Sequence, residues 1–159
     1  MKRIVVLGST GSIGRQTLDV IRAFPQEFDV VGLAAGNNAE LLIQQIQEFH
    51  PRYASCLAPM NPMPKGVEYL PMPEMACLDD IDLVMVATIG SIGLIPTLNA
   101  LKRGKWVALS NKEPIVMAGS LIKEYESRFG GKVLPVDSEP SAIWQCLRGE
   151  DNEIRRLLI

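Results

Sequence analysis

The chain lacks the features that mark membrane, secreted and nucleic-acid-binding proteins. Its 16 basic and 18 acidic residues give a net charge of −2, so the composition offers no basic surface to nucleic acid or to an anionic membrane. No apolar run is long enough to cross a bilayer, and the run after Lys2 and Arg3 is too short for a signal peptide. We therefore expect a cytoplasmic protein whose partners are neither nucleic acid nor membrane.

Cysteine and histidine are also scarce. Cys56, Cys77 and Cys146 are far apart and form no C-x-x-C motif, which predicts reduced, mostly buried thiols and no zinc site. The single histidine, His50, follows a helical pattern and precedes Pro51, so we expect it at a helix C-terminus. With 159 residues, of which 47% are hydrophobic, the chain is long enough for one α/β domain with its own core.

The strongest pattern lies at the start of the chain. Ile4–Leu7 is an uninterrupted apolar run, which is typical of a strand buried on both faces, and glycines follow at positions 8, 11 and 14. Gly8 and Gly11 allow the backbone to turn tightly and approach a pyrophosphate, while Gly14 allows the next helix, Ser12–Ala23, to pack close to the sheet. The free N–H groups of that helix would face the anion. The motif predicts a dinucleotide-binding turn.

The end of the second predicted strand bears on the choice of nucleotide. Phe28–Ala35 is apolar and runs into Gly36, Asn37 and Asn38, with no acidic residue to bind a ribose 2′-hydroxyl. These residues leave room for a 2′-phosphate and so favour NADP, although no basic residue stands among them. Arg15 could supply the missing charge, and it could equally be a solvated arginine in the first turn of a helix.

Apolar strands alternate with amphipathic helices along the rest of the chain. This order predicts an α/β fold with a doubly wound, mostly parallel sheet of the Rossmann type and helices on both faces. Thr88–Gly93, a second turn of small residues, should face the same crevice as the first. Pro59–Pro73 is expected to be a surface loop. The further strands are predicted at 53–57, 83–87, 106–109 and 132–136, and the further helices at 38–49, 96–103, after Pro114 to about 128, and 141–147.

Two carboxylates follow the sixth predicted strand. Asp137 and Glu139 are two residues apart on a segment that we expect to be extended, so they would project to one side and could hold Mg²⁺ or Mn²⁺. Ser138 between them could contact a phosphate. Acidic residues around a helix N-terminus are also typical of simple capping. The residues alone do not choose between a metal site and a cap.

Three separated stretches together resemble one enzyme family, the 1-deoxy-D-xylulose 5-phosphate reductoisomerases. They are Gly8–Gly14, Asn111–Glu113, and Pro135–Glu139 followed by Ser141–Gln145. The resemblance covers the whole chain. Asn37 departs from it, because some members carry a basic residue at that position.

The resemblance implies a role for each of several residues. The cofactor NADPH would contact Gly8, Thr10, Gly11, Ser12, Ile13, Gly36, Asn37, Asn38, Asn111 and Glu113. The sugar phosphate substrate would contact Lys112, Ser138 and Glu139. Lys112 and Glu139 would be catalytic, and Asp137 and Glu139 would bind the divalent metal, Mn²⁺ or Mg²⁺.

The resemblance also implies the reaction and the domain organisation. Members convert 1-deoxy-D-xylulose 5-phosphate to 2-C-methyl-D-erythritol 4-phosphate in non-mevalonate isoprenoid biosynthesis, and the full-length protein would be a homodimer. Residues 1–136 would form the NADPH-binding domain and residues 137–159 the start of a catalytic domain. The apolar end, Arg156–Ile159, reads as an interrupted strand, so we expect an N-terminal fragment that does not turn over alone.

Two other functions remain open at this stage. One is the cofactor domain of another NADP-dependent oxidoreductase, of the semialdehyde or homoserine dehydrogenase type. Such an enzyme would need further catalytic residues, and the surroundings of Cys146 are not those of a nucleophile. The other is a nucleotide-sensing module without chemistry.

Overall fold

A computed structural model describes residues 1–60, 62–149 and 154–156, and within them one parallel sheet carries helices on both faces. The strands are β1 (Lys2–Leu7), β2 (Phe28–Ala35), β3 (Tyr53–Cys56), β4 (Glu68–Tyr69), β5 (Leu83–Val86), β6 (Trp106–Leu109) and β7 (Lys132–Pro135). The helices are α1 (Ser12–Ala23), α2 (Ala39–Phe49), α3 (Met72–Met75), α4 (Leu94–Lys102), α5 (Glu113–Phe129) and α6 (Ser138–Leu147).

The strand order, β4-β3-β2-β1-β5-β6-β7, changes direction at β1. Every neighbouring pair is parallel, so all carboxyl ends lie along one edge of the sheet. In open α/β sheets, ligands bind beyond that edge, where the strand order reverses. The predicted fold class is confirmed, and the first glycine turn lies at the reversal.

The core forms two layers, one on each face of the sheet. Along β1, Val5 and Leu7 pack into one layer, while Ile4 and Val6 pack into the other. Because side chains alternate along a strand, a run that is apolar at every position is buried on both faces. All four residues are at most 2% exposed, which explains why this strand lacks a polar alternation.

The expected loop Pro59–Pro73 contains structure that the sequence analysis missed. Glu68–Tyr69 forms the edge strand β4, which pairs with β3, and the one-turn helix α3 begins at Met72. A two-residue strand is too short to show a period of two, and Pro71 and Pro73 resemble loop residues although proline is tolerated at the start of a helix. The sheet therefore has seven strands in the described residues, one more than predicted.

Three helices begin earlier than predicted, for the same reason. One is α5, which begins at Glu113, before Pro114. A 3₁₀ turn at Gly90–Gly93 leads into α4 at Leu94, two residues before Pro96. Likewise α6 begins at Ser138, before Pro140. Proline lacks an N–H, but the first-turn N–H groups have no partner within the helix, so a proline fits anywhere in that turn.

The thiols also differ from expectation, while most of the expected terminal strand is not described by the structure. Residues 154–156 form no regular element, and 157–159, the rest of the expected terminal strand, lie outside the described residues. Cys56 and Cys77 are only partly buried and Cys146 is exposed, although all three are free as expected. Across the described residues, no helix combines the length and apolar character that a membrane crossing requires.

Candidate functional site

The glycine turn after β1 is pressed between the sheet and α1. Gly8 has a φ of +88°, and a Cβ there would lie 2.3 Å from the carbonyl oxygen of Ala87. A Cβ on Gly14 would lie 2.1 Å from the carbonyl oxygen of Gly8. Both positions therefore require glycine, as the sequence analysis proposed for the tight turn at Gly8 and for the close packing of the helix at Gly14. Gly11 is the N-cap of α1, and no side chain caps the helix there.

The N-terminus of α1 is open. The first N–H groups of a helix have no acceptor within it, and here neither a capping side chain nor an acidic residue occupies the first turn. The amides that begin at Ser12 are therefore free to bind an anion, and the helix dipole favours one. The side chain of Ile13 packs toward the core, so only its backbone faces this end.

A buried polar pair fixes the turn to α2. Ser9, which is fully buried, donates its hydroxyl to Oε1 of Gln45 at 2.7 Å, and Nε2 of Gln45 donates to the Ser9 carbonyl oxygen at 2.9 Å. These reciprocal bonds satisfy groups that would be costly to bury alone. Sequence analysis missed this pair. The one sequence feature that could have indicated it is the position of Gln45, next to Ile46 on the apolar stripe of α2.

A cleft of about 360 Å³ opens over the glycine turn. Its polar walls come from the glycine turn and from the end of β2. Its apolar walls come from Leu57 and Met72, which the sequence analysis did not assign to a site, and from the turn after β5, which was expected to face this crevice. The lining residues are Gly8, Thr10, Gly11, Ala35, Gly36, Asn37, Asn38, Leu57, Met72, Ala87, Thr88, Ile89 and Ile92. This combination of apolar walls and few polar groups is typical of a small-molecule site.

Two residues in this region have specific hydrogen-bonding roles. Asn38 caps α2, accepting the Leu41 N–H on Oδ1 at 3.0 Å. Asn111 donates Nδ2 to the carbonyl oxygens of Thr88 at 2.7 Å and Gly90 at 3.2 Å, which holds the loop after β5. Oδ1 of Asn111 and Oγ1 of Thr88 are buried without a hydrogen-bond partner among the described residues. Buried polar atoms are normally paired, so these two are suited to a bound ligand.

A second cleft, of about 440 Å³, lies beside the first and is lined by Asn111, Lys112 and Asp137 among others. Asn111 thus joins the two clefts through its bonds to the Thr88–Gly90 loop. Glu113, the first residue of α5, is exposed and is not among the residues that line either cleft. The first glycine turn and the acidic pair lie along the same carboxyl edge of the sheet, but they do not line one cleft. Asp137 lines the second cleft, and Ser138 and Glu139 are not among the lining residues of either.

Lys112, Ser138 and Glu139 form a charged group at this edge. The hydroxyl of Ser138 donates to Oε2 of Glu139 at 2.8 Å. The pKa of the Glu139 carboxyl is held below its usual value, first by this bond and then by the backbone N–H of Glu139 and the nearby Lys112 ammonium. The Glu139 carboxylate thus has a cation and a hydroxyl beside it.

The predicted geometry of the acidic pair is wrong. Asp137 is the N-cap of α6, and Ser138 and Glu139 are the first two residues of that helix. The segment is therefore not extended, and the two carboxylates do not project to one side of it as predicted. Proline at 140 suggested a later start, but it is accommodated in the first turn. Asp137 makes no side-chain capping bond, however. Its carboxylate is therefore not committed to capping, which was the alternative to metal binding.

The acidic pair is an incomplete metal site by itself. The described residues contain no group of three or more His, Cys, Asp or Glu side chains that could hold a metal ion. Mg²⁺ retains several waters and binds through one or two carboxylates together with substrate oxygens. Asp137 and Glu139 have the right donor atoms for such a cation, and the remaining ligands would have to come from elsewhere.

Comparison with known proteins gives a consistent result. The family model described as 1-deoxy-D-xylulose 5-phosphate reductoisomerase matches residues 4–62 and 66–119. A curated relative of that name from Thermoanaerobacter pseudethanolicus is 46% identical over 170 aligned positions, which include 100% of this chain and 44% of the relative. The chain thus spans less than half the length of the curated relatives it matches.

Two solved structures agree with this match. One is the reductoisomerase of Zymomonas mobilis in complex with NADPH, with a TM-score of 0.84 and 36% identity over 91% of this chain and 41% of that chain. The other is a DOX-P reductoisomerase in complex with NADPH, fosmidomycin and magnesium, with a TM-score of 0.85 and 32% identity over 94% of this chain and 40% of that one. On the matched family model, which the fold and the glycine turn support, this chain belongs to the 1-deoxy-D-xylulose 5-phosphate reductoisomerase family.

Proposed function

We propose that this chain is the NADPH-binding portion of a reductoisomerase that converts 1-deoxy-D-xylulose 5-phosphate to 2-C-methyl-D-erythritol 4-phosphate. The observation that carries the proposal is the glycine turn, where Gly8 and Gly14 leave no space for a side chain and α1 presents an open N-terminus to the cleft. Two relatives in complexes with NADPH share this fold. Membership of the reductoisomerase family argues against a semialdehyde or homoserine dehydrogenase.

Each part of the first cleft has a role in this proposal. The amides of Ser12 and Ile13 bind the pyrophosphate, with Gly8, Thr10 and Gly11 as the surrounding turn. Gly36, Asn37 and Asn38 face the adenosine ribose. The unpartnered Oδ1 of Asn111 accepts a hydrogen bond from the cofactor. The contact of Glu113 with the cofactor rests on the family resemblance alone. Bound NADPH supplies the hydride, and the rigid sheet edge sets its direction.

The second cleft begins the substrate site in this proposal. Lys112 and Ser138 bind the sugar phosphate, and the Glu139 carboxylate, which lies beside both of them, contacts substrate and metal. Asp137 is the second metal ligand. A bound Mg²⁺ or Mn²⁺ would supply Lewis-acid polarisation of the substrate carbonyl. Lys112 and Glu139 are thus the proposed catalytic residues of this part of the polypeptide.

We propose the domain boundary at residues 136 and 137. The sheet ends at Pro135, and α6, which follows, has no buried residue. A helix of a globular domain normally buries an apolar stripe, so α6 is not part of the core of the preceding domain. The free thiols are consistent with the reducing cytoplasm. The homodimer implied by the resemblance is a prediction that sedimentation of the full-length protein would test.

Calorimetric titration with NADPH tests the proposal, using the variant Ser12→Asp. Ser12 is exposed at the first position of α1, so a carboxylate there favours the helix by about 0.3–1 kcal/mol and does not disturb packing. The same charge would repel a pyrophosphate bound on the adjacent amides. We expect the wild-type chain to bind NADPH and Ser12→Asp to lose most of that affinity while remaining folded.

The matched control is Ser120→Asp, which places the same charge at an exposed site on α5. We expect its affinity for NADPH to equal that of the wild type. Equal binding by Ser12→Asp and the wild type would contradict the proposed pyrophosphate site, and absence of NADPH binding by the wild type would contradict the proposed function itself.

A further inference from the structure

Resting on the NADPH-binding function proposed above, we infer that Arg15 supplies the positive charge for the 2′-phosphate and thereby selects NADPH over NADH. The residues around the expected ribose position do not supply it. Gly36, Asn37 and Asn38 line the cleft, and the described residues around it include no lysine or arginine. A 2′-phosphate is usually recognised by a nearby arginine in folds of this kind.

The available groups at the end of β2 are weak substitutes for a cation. Asn38 caps α2 through Oδ1, which accepts the Leu41 N–H, so its uncharged Nδ2 is the group that could donate to a phosphate. Glu40 lies in the first turn of α2 and is exposed, so it adds a negative charge next to the place where the phosphate would bind. Asn37 is exposed and uncharged. A phosphate here needs a guanidinium or ammonium from another element.

Arg15 is placed to reach this position. It lies in the first turn of α1, where its N–H donates to the Gly11 carbonyl oxygen at 2.9 Å. Its side chain lines a groove of about 400 Å³ between α1 and α2, together with Ser12 and Leu41. The Leu41 N–H donates to Asn38, which lines the cleft, so the groove and the cleft meet at the N-terminus of α2.

The carboxylates of the same groove are already paired with another arginine. Arg22 binds Glu48 through Nε at 2.5 Å and Nη2 at 2.7 Å, and it binds Asp19 through Nη1 at 2.5 Å. Arg15 has no ion-pair partner in the part of the chain that the structure describes. Its guanidinium, with a planar set of donors suited to phosphate oxygens, is therefore available to a ligand.

The test compares NADPH with NADH, because the two differ only in the 2′-phosphate. By calorimetry we expect the wild-type chain to bind NADPH more tightly than NADH, and Arg15→Gln to weaken NADPH binding by roughly tenfold to a hundredfold, as expected for loss of a charged hydrogen bond. Affinity for NADH should change by less than about twofold. Arg15→Lys, which keeps the charge, should recover part of the preference for NADPH.

Arg128→Gln is the matched control, since Arg128 is exposed near the end of α5 and forms only a 3.9 Å pair with Glu124. It should leave both affinities unchanged. If Arg15→Gln lost affinity equally for both nucleotides, Arg15 would act on the pyrophosphate or on folding, and the inference would be overturned. Equal affinities of the wild type for the two nucleotides would also overturn it. Absence of binding of either nucleotide would instead overturn the proposed function.

Discussion

Replacement of Gly14 by alanine tests how closely α1 must approach the glycine turn. In an ordinary helix the change from glycine to alanine stabilises by about 1 kcal/mol. At Gly14 the new Cβ would lie 2.1 Å from the Gly8 carbonyl oxygen and 2.6 Å from the Cα of Ser9. Both are backbone atoms, which cannot rotate away, so α1 would have to move by roughly 1 Å.

We expect the cost of overpacking to exceed the gain in helix propensity. Overpacking of a core typically costs about 1–3 kcal/mol, and a backbone clash belongs at the upper end, so Gly14→Ala should destabilise the chain by about 2 kcal/mol net. For a chain of this length that lowers the melting temperature by roughly 4–8 °C. Urea denaturation followed by circular dichroism would measure the free-energy change through the midpoint at an unchanged slope.

Gly119→Ala is the matched control. Gly119 is also within a helix, α5, but its Cβ would meet only Cγ2 of Ile115, at an ordinary 3.7 Å. We expect this variant to be more stable than the wild type by up to about 1 kcal/mol. The two identical substitutions should therefore change stability in opposite directions. Stability of Gly14→Ala at or above that of the wild type would refute the account of the turn.

Three further predictions concern stability and charge. Gln45→Leu leaves the Ser9 hydroxyl buried without a partner and should lower the free energy of unfolding, measured in urea, by about 1–3 kcal/mol. Adding Ser9→Ala should recover part of that loss. No recovery would show that the two residues are not coupled. His50 has a φ of +48°, so His50→Gly should raise the melting temperature, equivalent to about 0.5–1 kcal/mol, and a lower melting temperature would contradict the left-handed cap. Burial raises the pKa of Asp80, but hydrogen bonds from Arg52 and Arg3 outweigh it and keep the pKa below its ordinary value. Because the pKa is lowered in the folded state, the Asp80 carboxylate stabilises the fold at pH values above its unfolded-state pKa of about 4. This stabilisation is lost as the pH falls through the folded-state pKa. The free energy of unfolding of Asp80→Asn should therefore fall less below pH 4 than that of the wild type.

Most of the sheet could be predicted because its strands carry a strong local signal. The apolar run at Ile4–Leu7 followed by spaced glycines indicated a buried strand and its turn, and both are confirmed. The bounds of α1 and β2 were also predicted correctly. The edge strand at Glu68–Tyr69 escaped because its conformation depends on pairing with β3 and not on its own sequence.

The site was less accessible to sequence reasoning, because its geometry depends on contacts between distant segments. The bonds from Gln45 to Ser9 join residues 36 positions apart, and those from Asn111 to Thr88 and Gly90 join the loops after β6 and β5. No local pattern specifies such contacts. The helical position of Glu139 was missed for a different reason, since a proline in the first turn of α6 resembles the start of a helix. The roles assigned to individual site residues stay predictions.

Chemical shifts of the backbone and side-chain amides, recorded on the ¹⁵N-labelled chain during titration with NADPH, test the central claim most directly. If the nucleotide pyrophosphate binds at the open end of α1, the largest changes should fall on the amides of Gly11, Ser12 and Ile13, with further changes at Gly36 and at the Asn111 side chain. Changes confined to the opposite, amino-terminal edge of the sheet, around Trp106, would contradict it.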